Sequence, residues 1–206
     1  MKTPVVIIFF NRIDPLRRLV SRLAEIRPSE IYLISDGPRA GRVGEREKVA
    51  ECRDFMSKLP WKCEIMRDFA DRNMGCRKRV TSGVDWVFSR VKQAIILEDD
   101  CIPEPGFFPW VEKMLGRYRD EPKILSVGGF NFHPASCNQA VDATFSKYAT
   151  IWGWATWQRA WQENDKDLSR FSDVCRRHHF RKWLRKWRAE WYWRYVITKV
   201  PDSWGY

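Results

Sequence analysis

Short strand-like segments recur along the first half of the chain, and longer segments with helical patterning separate them. The strand-like segments are 4–10 (PVVIIFF), 31–35 (IYLIS), 63–69 (CEIMRDF) and 94–98 (AIILE). The predicted helices between them cover residues 15–26, about 45–59 and about 77–91. This alternation predicts an α/β domain that has a mostly parallel central sheet with helices on both faces.

Local signals mark the ends of several elements. Asp14 is predicted to cap the first helix, with Pro15 at its first position. The turn sequence Asp36-Gly37-Pro38 closes the second strand. Farther along, we expect a helix from Phe107 to about residue 119, a strand at 124–130, an aromatic segment at 147–161 and a basic helix at about 173–196.

Length and composition predict a single domain. The 206 residues are 44% hydrophobic and 31% charged, which is ordinary for a globular protein. The apolar run at 4–10 is too short to span a bilayer and lacks a signal-peptide cleavage site, so we expect a cytoplasmic location. The six cysteines form no CxxC pair, which favours free and mostly buried thiols.

The net charge of +11 is concentrated near the end of the chain. Nine Lys or Arg and one acid, Glu190, lie within 176–199, which suggests partners that carry phosphate: nucleic acid, anionic lipid or a nucleotide-linked substrate. Apolar residues recur there at helical spacing, so this segment could lie on an anionic membrane or pack on its own domain. The stripe consists of Phe180, Trp183, Trp187, Trp191 and Tyr195.

Three consecutive carboxylates, Glu98, Asp99 and Asp100, follow the buried segment AIIL. In an open α/β sheet, ligands bind outside the carboxyl ends of the strands. Carboxylates taken out of water need a cation, and Mg²⁺ or Mn²⁺ prefers carboxylate oxygens and also bridges diphosphates. The triplet therefore predicts a metal site, and the alternative is a solvated acidic turn that caps the next helix.

The segment from Ala94 to Phe108 resembles the DxD-type motif of GT-A-fold glycosyltransferases, in the EDD form of the N-acetylglucosaminyltransferase of N-glycan synthesis. Four other segments are similar, in the same order, to bacterial family 2-like transferases. They are FFNRIDPLRRLVSRL, IYLISDG, RNMGCRKRVTSGVDWVF and YATIWGWATWQRAW. The resemblance covers nearly the whole chain, from Val5 to Tyr206.

The resemblance implies a metal-dependent glycosyltransferase of the hexosyl or N-acetylhexosaminyl class. The donor would be a nucleotide diphosphate sugar, with UDP favoured, and the acceptor a glycan or lipid-linked glycan of the cell envelope. It implies that Asp100 binds Mn²⁺ or Mg²⁺ and that Asp99 and Glu98 contact the ribose and donor sugar. Asp36 would hydrogen-bond the nucleobase, and Arg12 would lie near the same end of the donor.

The start of the third predicted helix is basic. The resemblance implies that Arg77 lies beside the nucleotide. Gly75, Lys78 and Arg79 also place free amides and cations at a helix N-terminus, which favours an anion. A solvated basic first turn is the alternative explanation.

An inverting transfer requires a general base for the acceptor hydroxyl. The resemblance implies an Asp after a Trp, where this chain reads VPDSWGY with Gly205 after Trp204, so the nearby Asp202 is the candidate base. We expect residues 1–100 to form the half that binds the nucleotide sugar and residues 101–206 to form the acceptor half. The acceptor half is expected to be incomplete at its C-terminus.

The tryptophan-rich segment has two interpretations. Trp154, Trp157 and Trp161 recur at helical spacing, which is typical of core packing. Trp152 and Trp154, on either side of Gly153, are the candidates for stacking on an acceptor sugar.

A metal-dependent nuclease or a nucleic-acid-binding protein is the alternative class, because Arg and Lys interleave with Trp in the basic segment. No Lys follows the three acids, which continue as Cys101-Ile102-Pro103. The transferase is therefore favoured, and we expect no nucleic-acid partner. The three histidines, His133, His178 and His179, form no pattern that predicts a metal site.

Overall fold

The computed structural model describes residues 1–130, 143–146, 149–166 and 169. Its strands are β1 (Val5–Phe9), β2 (Glu30–Ser35), β3 (Glu64–Phe69), β4 (Gln93–Glu98), β5 (Ser126–Gly128) and β6 (Trp154–Trp157). Its helices are α1 (Ile13–Ile26), α2 (Glu45–Met56), α3 (Cys76–Phe88), α4 (Phe107–Arg117) and α5 (Gln158–Gln162). The strand–helix alternation predicted for the first half of the chain is confirmed.

Within these residues the strands form one sheet in the order β3-β2-β1-β4-β6-β5. The pairs β3-β2, β2-β1 and β1-β4 are parallel, and β6 is antiparallel to both of its neighbours. Five of the six strands therefore run in the same direction, as expected for a mostly parallel sheet. The chain leaves β1 toward β2 on one side and later returns to β4 on the other side.

Apolar side chains cover the sheet on both faces. On one face, α1, α2 and α4 pack against a cluster that includes Ile7, Leu33 and Leu97. On the other face, α3 packs against Val6, Ile34 and Ile96, and Trp154 and Trp161 extend this second cluster. Central strands that are buried on both faces have continuous apolar sequences, which explains the runs in β1, β2 and β4.

Some predicted details are wrong. Helix α1 begins at Ile13, its N-cap residue is Arg12, and no side chain caps it; Asp14 lies inside the first turn. The four residues Trp154–Trp157 form a strand, so Trp154, Trp157 and Trp161 do not share one helix. All three are nevertheless buried, as core packing requires.

The expectations about membrane spans, the basic segment and the cysteines can be compared only with the described residues. No helix in the described ranges is long and apolar enough to cross a bilayer. The basic segment 176–199 and the three histidines lie outside the described residues. Of the four cysteines whose structure is described, all are free thiols, but only Cys52 is buried.

Candidate functional site

The carboxyl ends of β1 and β4 meet where the order of strand connections reverses. Ile8 of β1 pairs with Glu98 of β4, so the loop after β1 and the loop after β4 start side by side. The first loop carries Arg12 and the second carries Asp99 and Asp100. This reversal is the usual ligand position in doubly wound α/β sheets.

Arg12 joins these two loops. Its Nη2 atom donates hydrogen bonds to Asp99 Oδ1 and, at 2.9 Å, to Asp100 Oδ2, while its Nε atom donates to Asp99 Oδ2 at 3.2 Å. The Asp99 side chain is only 5% exposed, whereas those of Asp100 and Arg12 are each 52% exposed. Asp99 is therefore held inside the protein by Arg12, and Asp100 remains accessible from the solvent.

Burial has the largest effect on the pKa values of Asp99 and Glu98. It raises the pKa of Asp99 above the ordinary value for a carboxyl group, and the Arg12 guanidinium acts in the opposite direction. The pKa of Glu98 is raised by burial first, and then by the nearby charges of Asp100 and Asp99. Another positive charge at this position would therefore stabilise all three carboxylates.

The three acids do not form a closed metal cage. No group of three or more His, Cys, Asp or Glu side chains in the described part of the chain is arranged to hold a metal ion without other ligands. Mg²⁺ and Mn²⁺ are commonly held by one or two carboxylates together with substrate phosphates and water. A half-exposed Asp100 beside a fixed Asp99 suits that kind of site.

Cys101, directly after the triplet, is not suited to act as a nucleophile. Burial is the first cause that raises the pKa of its thiol, and the carboxylates of Glu98 and Asp100 act in the same direction. Since the thiolate is the reactive form, this cysteine stays in its unreactive thiol form at neutral pH.

Asp36 lies at the end of β2, where backbone amides surround its carboxylate. The Oδ1 atom accepts hydrogen bonds from the amides of Gly37 at 2.8 Å and Met74 at 2.9 Å. The Oδ2 atom accepts one from the amide of Gly75 at 3.1 Å. Asp36 thus fastens the loop after β2 to the loop before α3, a contribution that its sequence context did not predict.

Replacement of Asp36 by Asn should destabilise the protein even without nucleotide. The amide replaces a charged acceptor and directs an N–H group at a backbone N–H group, which we expect to cost about 1–3 kcal/mol. Urea unfolding of the nucleotide-free protein measures this, with the exposed Asp120→Asn as the control that should change little. Equal stability of the two variants would show that the hydrogen bonds of Asp36 to the two loops do not stabilise the fold.

Protein groups already engage some of the donors at the start of α3. The amide of Gly75 donates to Asp36, and the buried Arg79 pairs with the carboxylate of Asp68 at 2.5 Å. The amide of Gly75 and both Nη atoms of Arg79 are therefore already engaged at the predicted anion site. The buried Nε atom of Arg79 has no hydrogen-bond partner in the described part of the chain. Arg77 donates from Nη2 to the carbonyl oxygen of Lys166 at 2.5 Å, which connects α3 to the segment after α5.

Asp100 also lines a cleft of about 550 Å³. Its walls include Glu104, Phe107, Phe130 and Trp152. The rings of Phe130 and Trp152 meet edge to face with their centroids 5.3 Å apart, and both side chains are largely exposed. This aromatic surface beside a carboxylate suits the apolar face of a sugar ring.

The two acceptor-side candidates have different positions. Trp152 lines this cleft, whereas Trp154 is buried in the core with its ring centroid 6.4 Å from that of Trp161. The position of Trp154 favours packing over contact with an acceptor. Asp202, the candidate base, lies outside the described residues.

Sequence reasoning missed Phe130 and Glu104 in this cleft, and it missed a group of arginines at the ends of β2 and β3. Arg39, Arg42, Arg46 and Arg72 line one concave surface there. The spacing of three arginines within RAGRVGER was the available signal. Arg72 comes from a distant loop, so its participation required the fold.

The strand order and the charged side chains at the switch point are typical of nucleotide-binding α/β proteins. The family model for Glycosyl transferase family 2 matches residues 5–190, and the chain belongs to this family. Comparison with curated proteins gives no match. Membership implies a nucleotide-sugar donor and an acceptor, and together with the sheet it confirms the predicted GT-A-type fold. It gives no support to the nuclease alternative.

Proposed function

We propose that the protein transfers a sugar from a UDP-sugar to a hydroxyl group of a glycan or lipid-linked glycan, with inversion and with a divalent metal. The observation that carries this proposal is the Arg12–Asp99–Asp100 cluster at the switch point of the sheet. In a member of this family, an accessible carboxylate at that point suits a metal that also contacts the donor diphosphate.

Each residue of the cluster has a different contribution in this proposal. Asp100 would hold Mn²⁺ or Mg²⁺, which when bound neutralises charge on the departing nucleotide diphosphate. Asp99 keeps Arg12 in place, and the half-exposed guanidinium is close enough to the same position to attract a phosphate oxygen. The family resemblance implies that Glu98 and Asp99 contact the ribose and donor sugar. Because the Asp99 side chain is only 5% exposed and bound by Arg12, its contribution would be made through Arg12.

The remaining donor contacts would come from the loops at the ends of β2 and β3. Asp36 orders these loops through backbone amides, so its proposed recognition of the nucleobase would be combined with a structural contribution. Arg77 would lie beside the nucleotide while its Nη2 atom also holds Lys166.

The cleft beside Asp100 would receive the acceptor. Trp152 and Phe130 would stack on its sugar ring, which places a hydroxyl group near the donor. Two carboxylates are candidates to take the hydroxyl proton: Asp202, from the sequence pattern, and Glu104, which is exposed on the wall of the cleft. The proposed setting is the cytoplasmic surface of an anionic membrane, with segment 176–199 as the contact.

Binding of UDP together with Mn²⁺ should raise the melting temperature. A ligand at a hundredfold excess over its dissociation constant adds about 2.7 kcal/mol of stability. For a chain of this length, that corresponds to a rise of roughly 5–10 °C. UDP without metal should give much less, because its diphosphate then faces carboxylates without a bridging cation. Differential scanning fluorimetry measures all these conditions.

Nucleic acid is the control that separates the two classes of function. DNA and RNA should give no comparable metal-dependent shift. If nucleic acid stabilises the wild-type protein while every nucleoside diphosphate is inert with Mn²⁺ and Mg²⁺, the transferase proposal is wrong.

A further inference from the structure

A second concave surface, here called the arginine cleft, lies at the carboxyl ends of β2 and β3. It has a volume of about 520 Å³ and contains none of the Glu98–Asp100 residues in its walls. Four arginines and one acid contribute charge to it: Arg39, Arg42, Arg46, Arg72 and Asp71. The volume is within the range of small-molecule sites.

The cationic charge in this cleft is only partly compensated. Arg39 is paired with the buried Glu45, which it contacts through Nη2 at 2.5 Å. Within the described ranges, no carboxylate forms a salt bridge with Arg42, Arg46 or Arg72. Three guanidinium groups without an ion pair of their own therefore share the concave surface with Asp71. The charge of Glu45 also acts on Arg42, although the two side chains form no salt bridge. Such a surface focuses a positive potential that attracts anions.

Glu45 fixes one side of the arginine cleft. It accepts a hydrogen bond from the Arg39 amide at 2.7 Å, and Asn11 donates to it at 3.3 Å. The Arg39 side chain lowers the pKa of Glu45 to about 2. Glu45 is therefore ionised throughout the physiological range, and the loop that carries Arg39 stays attached to the start of α2.

Close backbone contact fixes the other side. The Asn73 side chain donates to the Gly37 carbonyl oxygen at 3.0 Å. A Cβ atom on Gly37 would lie 2.5 Å from the backbone of Arg72, so only glycine allows the two loops to approach this closely. Arg72 is consequently held opposite the loop that carries Arg42, and the cleft exists before any ligand binds.

We propose that the arginine cleft binds a phosphate group that is separate from the diphosphate of the sugar donor. The planar guanidinium fork matches two phosphate oxygens at once, and three such groups surround the space. The phosphate belongs either to a soluble compound or to a lipid headgroup. Val43, fully exposed next to Arg42, is an apolar residue that a membrane surface would cover.

Calorimetric titration with inorganic phosphate tests this site. The experiment is done in EDTA, so that no metal can hold phosphate at Asp100. Wild type should bind, and Arg42→Glu combined with Arg46→Glu should weaken binding by at least about tenfold, since two attractive groups become repulsive. The neutral pair Arg42→Gln and Arg46→Gln should give a smaller loss in the same direction. Arg18→Glu, an exposed arginine on α1, is the matched control and should bind like wild type.

Vesicles distinguish the two sources of phosphate. If the source is a lipid, vesicles of phosphatidylcholine with phosphatidic acid should bind more of the wild-type protein than of the charge-reversed variant. If the vesicles bind both proteins equally and the phosphate titration is positive, the source is a soluble compound. The proposal fails if wild type binds neither form of phosphate, or if charge reversal changes neither. It also fails if charge reversal weakens UDP–Mn²⁺ binding as much as phosphate binding, because the cleft is then part of the donor site. A protein that binds phosphate but not UDP would refute only the proposed donor.

Discussion

Replacement of Asp100 by Ala should remove the metal-dependent part of UDP binding and lower transferase activity by at least about a hundredfold. Loss of a group that stabilises transition-state charge typically costs factors of 100–1,000 in rate. Asp100 is the accessible member of the triplet, with a side chain that is 52% exposed, so its loss leaves the fold intact. Fluorimetry with UDP, with and without Mn²⁺, measures binding, and release of UDP from a UDP-sugar measures turnover.

Glu104→Gln is the matched comparison, because Glu104 is a carboxylate of the adjacent cleft that does not belong to the triplet. This variant should keep the full Mn²⁺-dependent shift with UDP. A loss of turnover in it would assign the proton acceptor to Glu104 and remove the need for Asp202. If Asp100→Ala keeps the Mn²⁺-dependent shift, Asp100 is not the metal ligand.

The parallel half of the sheet could be predicted because each strand there has an unambiguous local pattern. AIIL in β4 and VVI in β1 are buried on both faces, so they have continuous apolar sequences that are bounded by polar turns. Strand β6 could not be predicted in this way. All four of its residues are buried, so no polar–apolar alternation is present, and its tryptophans continue into α5 with a helical period.

The residues at the switch point were predicted, but their contacts were not. Arg12 was expected near the nucleobase end of the donor, but its hydrogen bonds to Asp99 and Asp100, which lie 87 and 88 positions away, were not predicted. Asp36 appeared in a turn sequence, and its partners are the amides of Met74 and Gly75. Local sequence shows where a strand ends, but only the packed sheet determines which loops meet there.

Arg12→Ala should lower the free energy of unfolding by about 1–3 kcal/mol. Removal of one partner from a buried ion pair usually costs about 3–5 kcal/mol. The Arg12 side chain is half exposed, so water reaches Asp99 in the variant and reduces that cost. Arg17→Ala is the matched control, because Arg17 pairs with Glu51 at 3.6 Å on the exposed surface. It should change stability by no more than about 0.5 kcal/mol.

The stability lost in Arg12→Ala should depend on pH in a defined direction. Burial already raises the pKa of Asp99, and removal of Arg12 takes away the group that opposes this rise. A carboxyl whose folded-state pKa is raised destabilises the fold when it is ionised, and this cost disappears below its unfolded-state pKa of about 4. The difference in unfolding free energy between wild type and variant should therefore be largest near neutral pH and shrink toward pH 4.

Urea unfolding at several pH values in EDTA measures this difference. Asp99→Asn added to Arg12→Ala should recover part of the lost stability at neutral pH. A difference that stays constant or grows as the pH falls would show that Asp99 is not the group that Arg12 stabilises.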